Sequence, residues 1–442
     1  MKNLFLLPLF IGLLFLAACN NDDAGSMPTP TSASFTVRIE NAFTGKDFQS
    51  SGVFNTPVGA TAPGPAAPGQ SYEFSFDAGI GSWLSFATMF VQSNDLFYAP
   101  GQQGIALYGP GGVAVTGDVT AQIDLWDAGT EVNQEPGTGA DQAPRQSGPD
   151  TGMDENGTVR LVADVADGFT YPSDESVIRV MIAHDGGTRF TVTLQNISDG
   201  STLPTPFAPG TWVVHNGSNA LFTSGSAAEN GLEGIAEDGD ASVSDTFLAA
   251  NSGYVSPFAP GVWVTHGADD RPLFTTGQVD YDEGMEELAE DGNPDVLNTS
   301  LMSRTDLLSH GVFNTPAGGS GPGPIFPGDA YEFTFTAEEG AWLNFATMLV
   351  QTNDLFVAFG DGGIALFNNG QPISGDVTAQ ASFWDAYTEA NQFPGAGNDQ
   401  APRQAAANTG ASESAAINIV NDGYTYPAVN ETIRITITST VQ

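Results

Sequence analysis

The chain has 442 residues, with 52 Asp or Glu against 11 Lys or Arg, a single Cys, and a formal net charge of -41. A surface this acidic repels nucleic acid and anionic lipid headgroups and favours cations as partners, while one thiol excludes an internal disulfide and a Cys-rich metal site. Hydrophobic content of 40 % and aromatic content of 10 % exclude a disordered acidic tail and allow sizeable cores in two or more domains.

The first nineteen residues, MKNLFLLPLFIGLLFLAAC, place one Lys ahead of a short apolar run that ends in small residues and Cys19. The run is too short for a membrane span and has the form of an export signal. Leu16-Ala17-Ala18-Cys19 matches the bacterial lipobox, so residues 1–19 are expected to be a lipoprotein signal peptide. Cys19 is then the acylated first residue of the mature chain, holding it to a membrane. Asn20 and Asn21, rather than Asp, follow the Cys and point to the outer membrane, on its periplasmic or its cell-surface face. Residues 20–33 read as a linker.

From there the chain repeats itself. SSGVFNTPVG returns as LSHGVFNTPAG, SWLSFATMFVQSNDLF as AWLNFATMLVQTNDLF, and GDVTAQ and DQAPRQ recur unchanged. DGFTYPSDESVIRVMI returns as DGYTYPAVNETIRITI. The strand-like FTVRIENA runs within a few residues into the first GVFNTP, whereas its counterpart FTVTLQNIS is separated from the second by a long tandem repeat. The organisation expected is a trimmed domain 1 at 34–184 and a domain 2 at 188–442 that carries insert repeats at 205–242 and 256–296.

Stretches such as SYEFSFDA, YEFTFTA and IRITITST alternate apolar and polar residues between clusters of Gly, Pro, Asn and Asp, the pattern of half-buried strands joined by tight turns. Two antiparallel β-sandwiches in an all-β protein are the expected fold. Only GLEGIAEDG and EGMEELAEDG read as helical, each short and closed by Gly.

The chemistry concentrates in a loop written twice, LWDAGTE and FWDAYTE, each preceded by an Asp-bearing strand end, VQSNDLF or VQTNDLF. Asp95, Asp127 and Glu131, and again Asp354, Asp385 and Glu389, supply the hard oxygen ligands that Ca2+ requires; Mg2+ suits so anionic a cage less well. With neither His nor Cys in these loops, zinc is not expected. The bland alternative is that each Asp caps its own turn. Trp126 and Trp384 are read as core anchors rather than exposed sugar platforms, and His215 and His266 as rings packed at strand ends and bonded to backbone. Arg145 and Arg403, in the repeated DQAPRQ, are candidates to pair with the loop carboxylates. No nucleophile elbow, phosphate loop, dinucleotide fingerprint or HExxH is present in the sequence.

The run FATMFVQSNDLF followed by LWDAGTE resembles the spondin domain, and HGADDRPLFTTGQVDYDEGMEELAEDGNPD is similar to that family's early segment. The resemblance covers most of the mature chain. It implies a C2-like sandwich in which the upstream Asp, the motif Asp and the acid four residues later hold one Ca2+ per domain. Carried over, these are Asp95, Asp127 and Glu131, then Asp354, Asp385 and Glu389. This chain departs from the pattern in having Glu as the last acid, and Tyr387 where the first copy has Gly129; a positive φ at that Gly would strain the second loop. The implied function is non-enzymatic adhesion or matrix-type binding to an extracellular protein or polysaccharide. A carbohydrate-active enzyme using the same acids and a structural envelope spacer are the alternatives.

Overall fold

The computed structural model describes residues 31–442 apart from Ser218. The signal peptide, the lipobox Cys19 and most of the expected linker lie outside the described residues. The first strand, β1 (Ser32–Asn41), begins inside that linker and alternates half-buried and buried positions along its whole length.

Each domain has three layers. In domain 1, β2 (Ser50–Phe54), β3 (Ser71–Asp77), β4 (Trp83–Phe90), β5 (Leu96–Pro100), β6 (Ile123–Asp127) and β7 (Arg160–Leu161) lead to the β8 (Ile178–Gly186) and β9 (Arg189–Asn196) hairpin, then β10 (Phe207–His215), α1 (Leu232–Asp238) and α2 (Ser242–Asn251). One sheet has the order β2-β10-β4-β5-β6-β7; the other is β3-β9-β8, with the short pair Gly117–Asp118 at its edge. Alternation in β3 and β9 turns Tyr72, Phe74, Phe76, Phe190 and Val192 inward against Leu84, Phe86, Phe90 and Tyr98 of the larger sheet. The larger sheet's other face, with Ala87, Phe97, Trp126 and Val213, packs on Leu232, Ile235 and Ala236 of α1 and Leu248 of α2.

Domain 2 repeats this plan with β11 (Phe258–His266), α3 (Met285–Asp291), α4 (Asp295–Ser303), β12 (Ser309–Phe313), β13 (Ala330–Glu338), β14 (Trp342–Leu349), β15 (Leu355–Phe359), β16 (Ala381–Asp385), β17 (Asn418–Ile419) and β18 (Ile433–Val441). Its large sheet runs β12-β11-β14-β15-β16-β17. The smaller sheet is β13-β1-β18, with the short pair Gly375–Asp376 at its edge, so the first of the described strands completes the second domain. Phe35, Val37 and Ile39 of β1 are fully buried in that core.

The all-β, two-domain sandwich expected from the alternation is therefore present, but the boundaries drawn at 34–184 and 188–442 are not those of the fold. FTVTLQN is β9 and pairs with β3 and β8 of domain 1. The first insert repeat, 205–242, supplies β10 and α1 of domain 1, and the second, 256–296, supplies β11 and α3 of domain 2. Domain 1 is not trimmed. It is a circularly permuted copy set into domain 2 between that domain's first and second strands, with β8 and β9 joined where domain 2 leaves two ends. Those ends meet: the amide of Gln442 donates to the carbonyl of Ser32 at 2.9 Å. Two further helices, α2 and α4, went unanticipated because SVSDTFLAAN and DVLNTSLMS are rich in Ser, Thr and Asn and bury only one apolar flank against the sheet.

Candidate metal centre

The acidic loops sit at one end of each large sheet, where β5 pairs with β6 and β15 with β16. Asp127 and Asp385 end their strands; Asp95 and Asp354 lie just before the neighbouring ones. All four are fully buried, and Glu131 and Glu389 are nearly so.

In domain 1 one oxygen of Asp95, Oδ2, accepts from the amides of Thr130 (2.7 Å) and Glu131 (3.2 Å). Its other oxygen, Oδ1, is buried without any hydrogen-bond partner. Asp354 repeats this, with Thr388 (2.8 Å) and Glu389 (3.2 Å) on Oδ2 and nothing on Oδ1. A buried carboxylate oxygen lacking a donor is costly when ionised, and the groups respond by holding protons. Burial and the nearby charge of Asp127 push Asp95 up to about 7; burial and Asp385 push Asp354 well above the carboxylate range.

Asp127 accepts from the amide of Gly129 (2.8 Å) and the side chain of Asn133 (2.6 Å), and Asp385 likewise from Tyr387 (2.8 Å) and Asn391 (2.8 Å). The turn-capping use of the motif Asp thus coexists with the acid cluster. Gly129 has φ 69°, and a Cβ there would lie 2.6 Å from the amide nitrogen of Thr158. Tyr387 adopts the same left-handed conformation at φ 54° with a side chain attached.

The third expected ligand is displaced. Glu131 turns its carboxylate to the side chain of Asn94 (3.1 Å) and the amide of Gly152 (2.6 Å), and Glu389 takes the equivalent contact with Asn353 (3.0 Å). The acid that brings an oxygen within 4.8 Å of both Asp95 and Asp127 is Glu155, whereas Glu131 gathers with Asp150 and Glu237. Among the described residues no three acids of domain 2 come that close. Glu155 was missed because it lies beyond the repeated loop; the amide of Glu155 bonds the carbonyl of Thr130 (2.7 Å) and that of Glu413 bonds Thr388 (2.7 Å), so the loop recruits its neighbour through backbone.

Arg160 was also missed. It approaches Asp127 (3.4 Å) and Glu155 (2.7 Å), so an internal cation already stands at the domain 1 cluster. Arg145 and Arg403 form no ion pair with the loop acids; their Nε atoms donate to the carbonyls of Gly139 and Gly397. A depression of about 420 Å³ bounded by Asn133, Glu155, Arg160 and Asp167 opens beside the domain 1 cluster, while Asp95 and Asp127 do not line it.

The remaining candidates behave as core. Trp126 and Trp384 are buried, donate from Nε1 to the carbonyls of Ala99 and Ala358 (3.3 Å each), and pack on Phe222 and Phe274. Nδ1 of His215 accepts from the amide of Gly217 (3.1 Å), its Nε2 meets the Ser85 hydroxyl (2.9 Å), and burial lowers it to about 4. Burial lowers His266 too, beside the carbonyl of Gly267 (2.7 Å).

Among the described residues, no helix is long and apolar enough to cross a membrane. No family model matches the chain, and no relative is found among curated proteins.

Proposed function

We propose that this chain is a calcium-stabilised, non-enzymatic binding protein of two spondin-like sandwiches, anchored at a bacterial outer membrane through Cys19 and presenting its loops to an extracellular protein or polysaccharide. The observation that carries the calcium reading is the pair of fully buried, donor-free oxygens, Asp95 Oδ1 and Asp354 Oδ1, each beside a second buried Asp. Hard carboxylate oxygens without protein donors fit a divalent cation of the Ca2+ class. Asp95, Asp127 and Glu155 would hold it in domain 1, and Asp354 and Asp385 in domain 2. A bound cation would let both Asp of each pair ionise together and would tie β5 to β6, and β15 to β16, at the loop end. Binding rather than turnover is favoured because the paired Asp are enclosed instead of lining an open cleft.

The test is calorimetric calcium titration and thermal melting of the soluble protein beginning after Cys19, with Asp127→Ala and Asp385→Ala. The expected result is one ion per domain, a raised melting temperature, and loss of one site in each variant. No uptake at millimolar calcium would sink the proposal.

A further inference from the structure

Domain 1 and domain 2 meet along a cleft of about 780 Å³, within the size range of small-molecule sites. The end of β3, the start of β9 and the middle of β10 contribute Phe76, Asp77, Arg189 and Trp212, and domain 2 contributes Phe326, Phe393, Arg403 and Tyr424. None of these is a candidate calcium ligand, although Phe393 and Arg403 lie on the chain segment that follows Glu389.

Its lining is unusual for this molecule in two respects. Phe326, Phe393 and Tyr424 are 54 %, 39 % and 38 % exposed, a grouping of open aromatic faces rather than scattered surface residues. The second respect is charge. Among the described residues, only Lys46, Arg145 and Arg403 of the Lys and Arg side chains make no ion pair, and two of those three line this cleft. That two cations here stay free of carboxylates, in a chain with 52 acids, marks a local reversal of the surface charge.

Arg403 is also fixed in place. Its Nε donates to the carbonyl of Gly397 (2.8 Å) and its Nη2 to the side-chain oxygens of Gln351 (2.9 Å) and Gln400 (2.7 Å), all neutral acceptors. Among the described residues Nη1 has no hydrogen-bond partner. The guanidinium is held by one edge with the other left for a ligand, and partial burial makes an anion there worth more than at an open surface. The carboxylates that line the cleft are Asp77, which Arg189 pairs at 2.9 Å, and Asp47; Asp422 lies just behind, accepting from the amide of Tyr424 (2.9 Å).

We propose that the cleft between the domains binds a short anionic oligosaccharide, its carboxylate or sulfate on Arg403 and its ring faces on Phe393 and Tyr424. Aromatic rings open to water beside polar groups suit a ligand that itself combines hydroxyls with apolar C–H faces. A long polyanion is disfavoured because it would run out onto acidic surface, so the ligand is a short oligomer or a chain end.

The experiment is calorimetric titration of the chain beginning after Cys19 with a tetragalacturonate, a sulfated galactose tetrasaccharide and the neutral galactose tetrasaccharide. The uronate is run in chelator, since uronates bind calcium themselves, and the sulfated sugar is run in calcium and in chelator. The expected result is binding of one or both acidic sugars and not of the neutral one, weakened roughly tenfold or more by Arg403→Gln. Arg145→Gln, the same position in domain 1, should leave binding unchanged. Phe393→Ala, which leaves every charge in place, should weaken it independently if Arg403→Gln lowers the melting temperature. Failure of both acidic sugars to bind, equal binding of the neutral sugar, or wild-type affinity in both Arg403→Gln and Phe393→Ala would overturn the proposal. The calcium titration is unaffected by any of these outcomes and reports on the loops separately.

Discussion

In domain 1 the residue paired across the sheet from Asp127 is Arg160; in domain 2 the residue paired with Asp385 is Asn418. The loops otherwise share their backbone, down to the amides bonded to Asp95 and Asp354. The second acid group differs in the same sense, since Asp150 of domain 1 is matched by Asn408. Domain 1 thus concentrates more carboxylates and supplies its own cation, whereas domain 2 has fewer of both. Burial and neighbouring acids, with no guanidinium alongside, push Asp385 up to about 6. In the calcium reading, one loop is partly neutralised by the protein and the other depends on what it binds.

The most severe way to break this comparison is to remove the orphaned carboxylates. Asp354→Ala is expected to abolish the domain 2 site and Asp95→Ala the domain 1 site, each read as one ion lost by calorimetry. The lost stabilisation is about 2.7 kcal/mol when calcium stands at about 100 times its dissociation constant.

Exchanging the counter-charge sharpens the comparison. Arg160→Asn should tighten calcium at domain 1 by roughly tenfold, about 1.4 kcal/mol, and Asn418→Arg should weaken it at domain 2 by a similar factor. Equal affinities before and after the exchange would show that Arg160 does not compete with the ion.

A titration compares the domains through their helices. Burial pushes Glu237 of α1 up to about 8 and Glu290 of α3 up to about 7, from an ordinary 4.5. The folded state then keeps protons that the unfolded chain has released, so the contribution of these two groups to calcium-free stability is greatest below the ordinary glutamate value and falls as pH rises. The fall runs to about 8 for domain 1 and about 7 for domain 2. Melting in chelator across that window should show it, and Glu237→Gln should flatten the upper part.

The smallest effects lie in the turn. Gly129→Ala should cost about 1–2 kcal/mol, because the added Cβ meets the Thr158 amide, whereas Tyr387→Gly should gain up to about 1 kcal/mol by relieving a left-handed residue. Denaturant melts of the two variants would show opposite signs.

The sandwich and the core placement of Trp126 and Trp384 could be read from the chain, because alternation and turn chemistry act over a few residues. Which sheet a strand joins could not. β1 and β9 carry the same alternating pattern and fit either domain, so sequence order assigned each to the copy that follows it, whereas the chain pairs β9 backward with β8 and sends β1 forward to β13 and β18. At the site, the spacing from Asp127 to Glu131 said nothing of where the Glu131 carboxylate would turn. Glu155 and Arg160 come from a stretch whose two copies differ in length and composition; the Thr130 carbonyl brings back the first and the β6–β7 pairing the second.

The joining of β1 to β18 also sets an order of events when the chain is made from its N-terminus. Domain 1 is continuous and closes its smaller sheet through the local β8–β9 hairpin, so it can complete itself while domain 2 is still being synthesised. β1, the first of the described strands to appear, has no partner until β13 and then β18 emerge from the far part of domain 2. Contacts so distant in sequence are slow to form, and a waiting edge invites pairing with other chains. The strand that seals the second sandwich is for that interval the segment most in need of a chaperone.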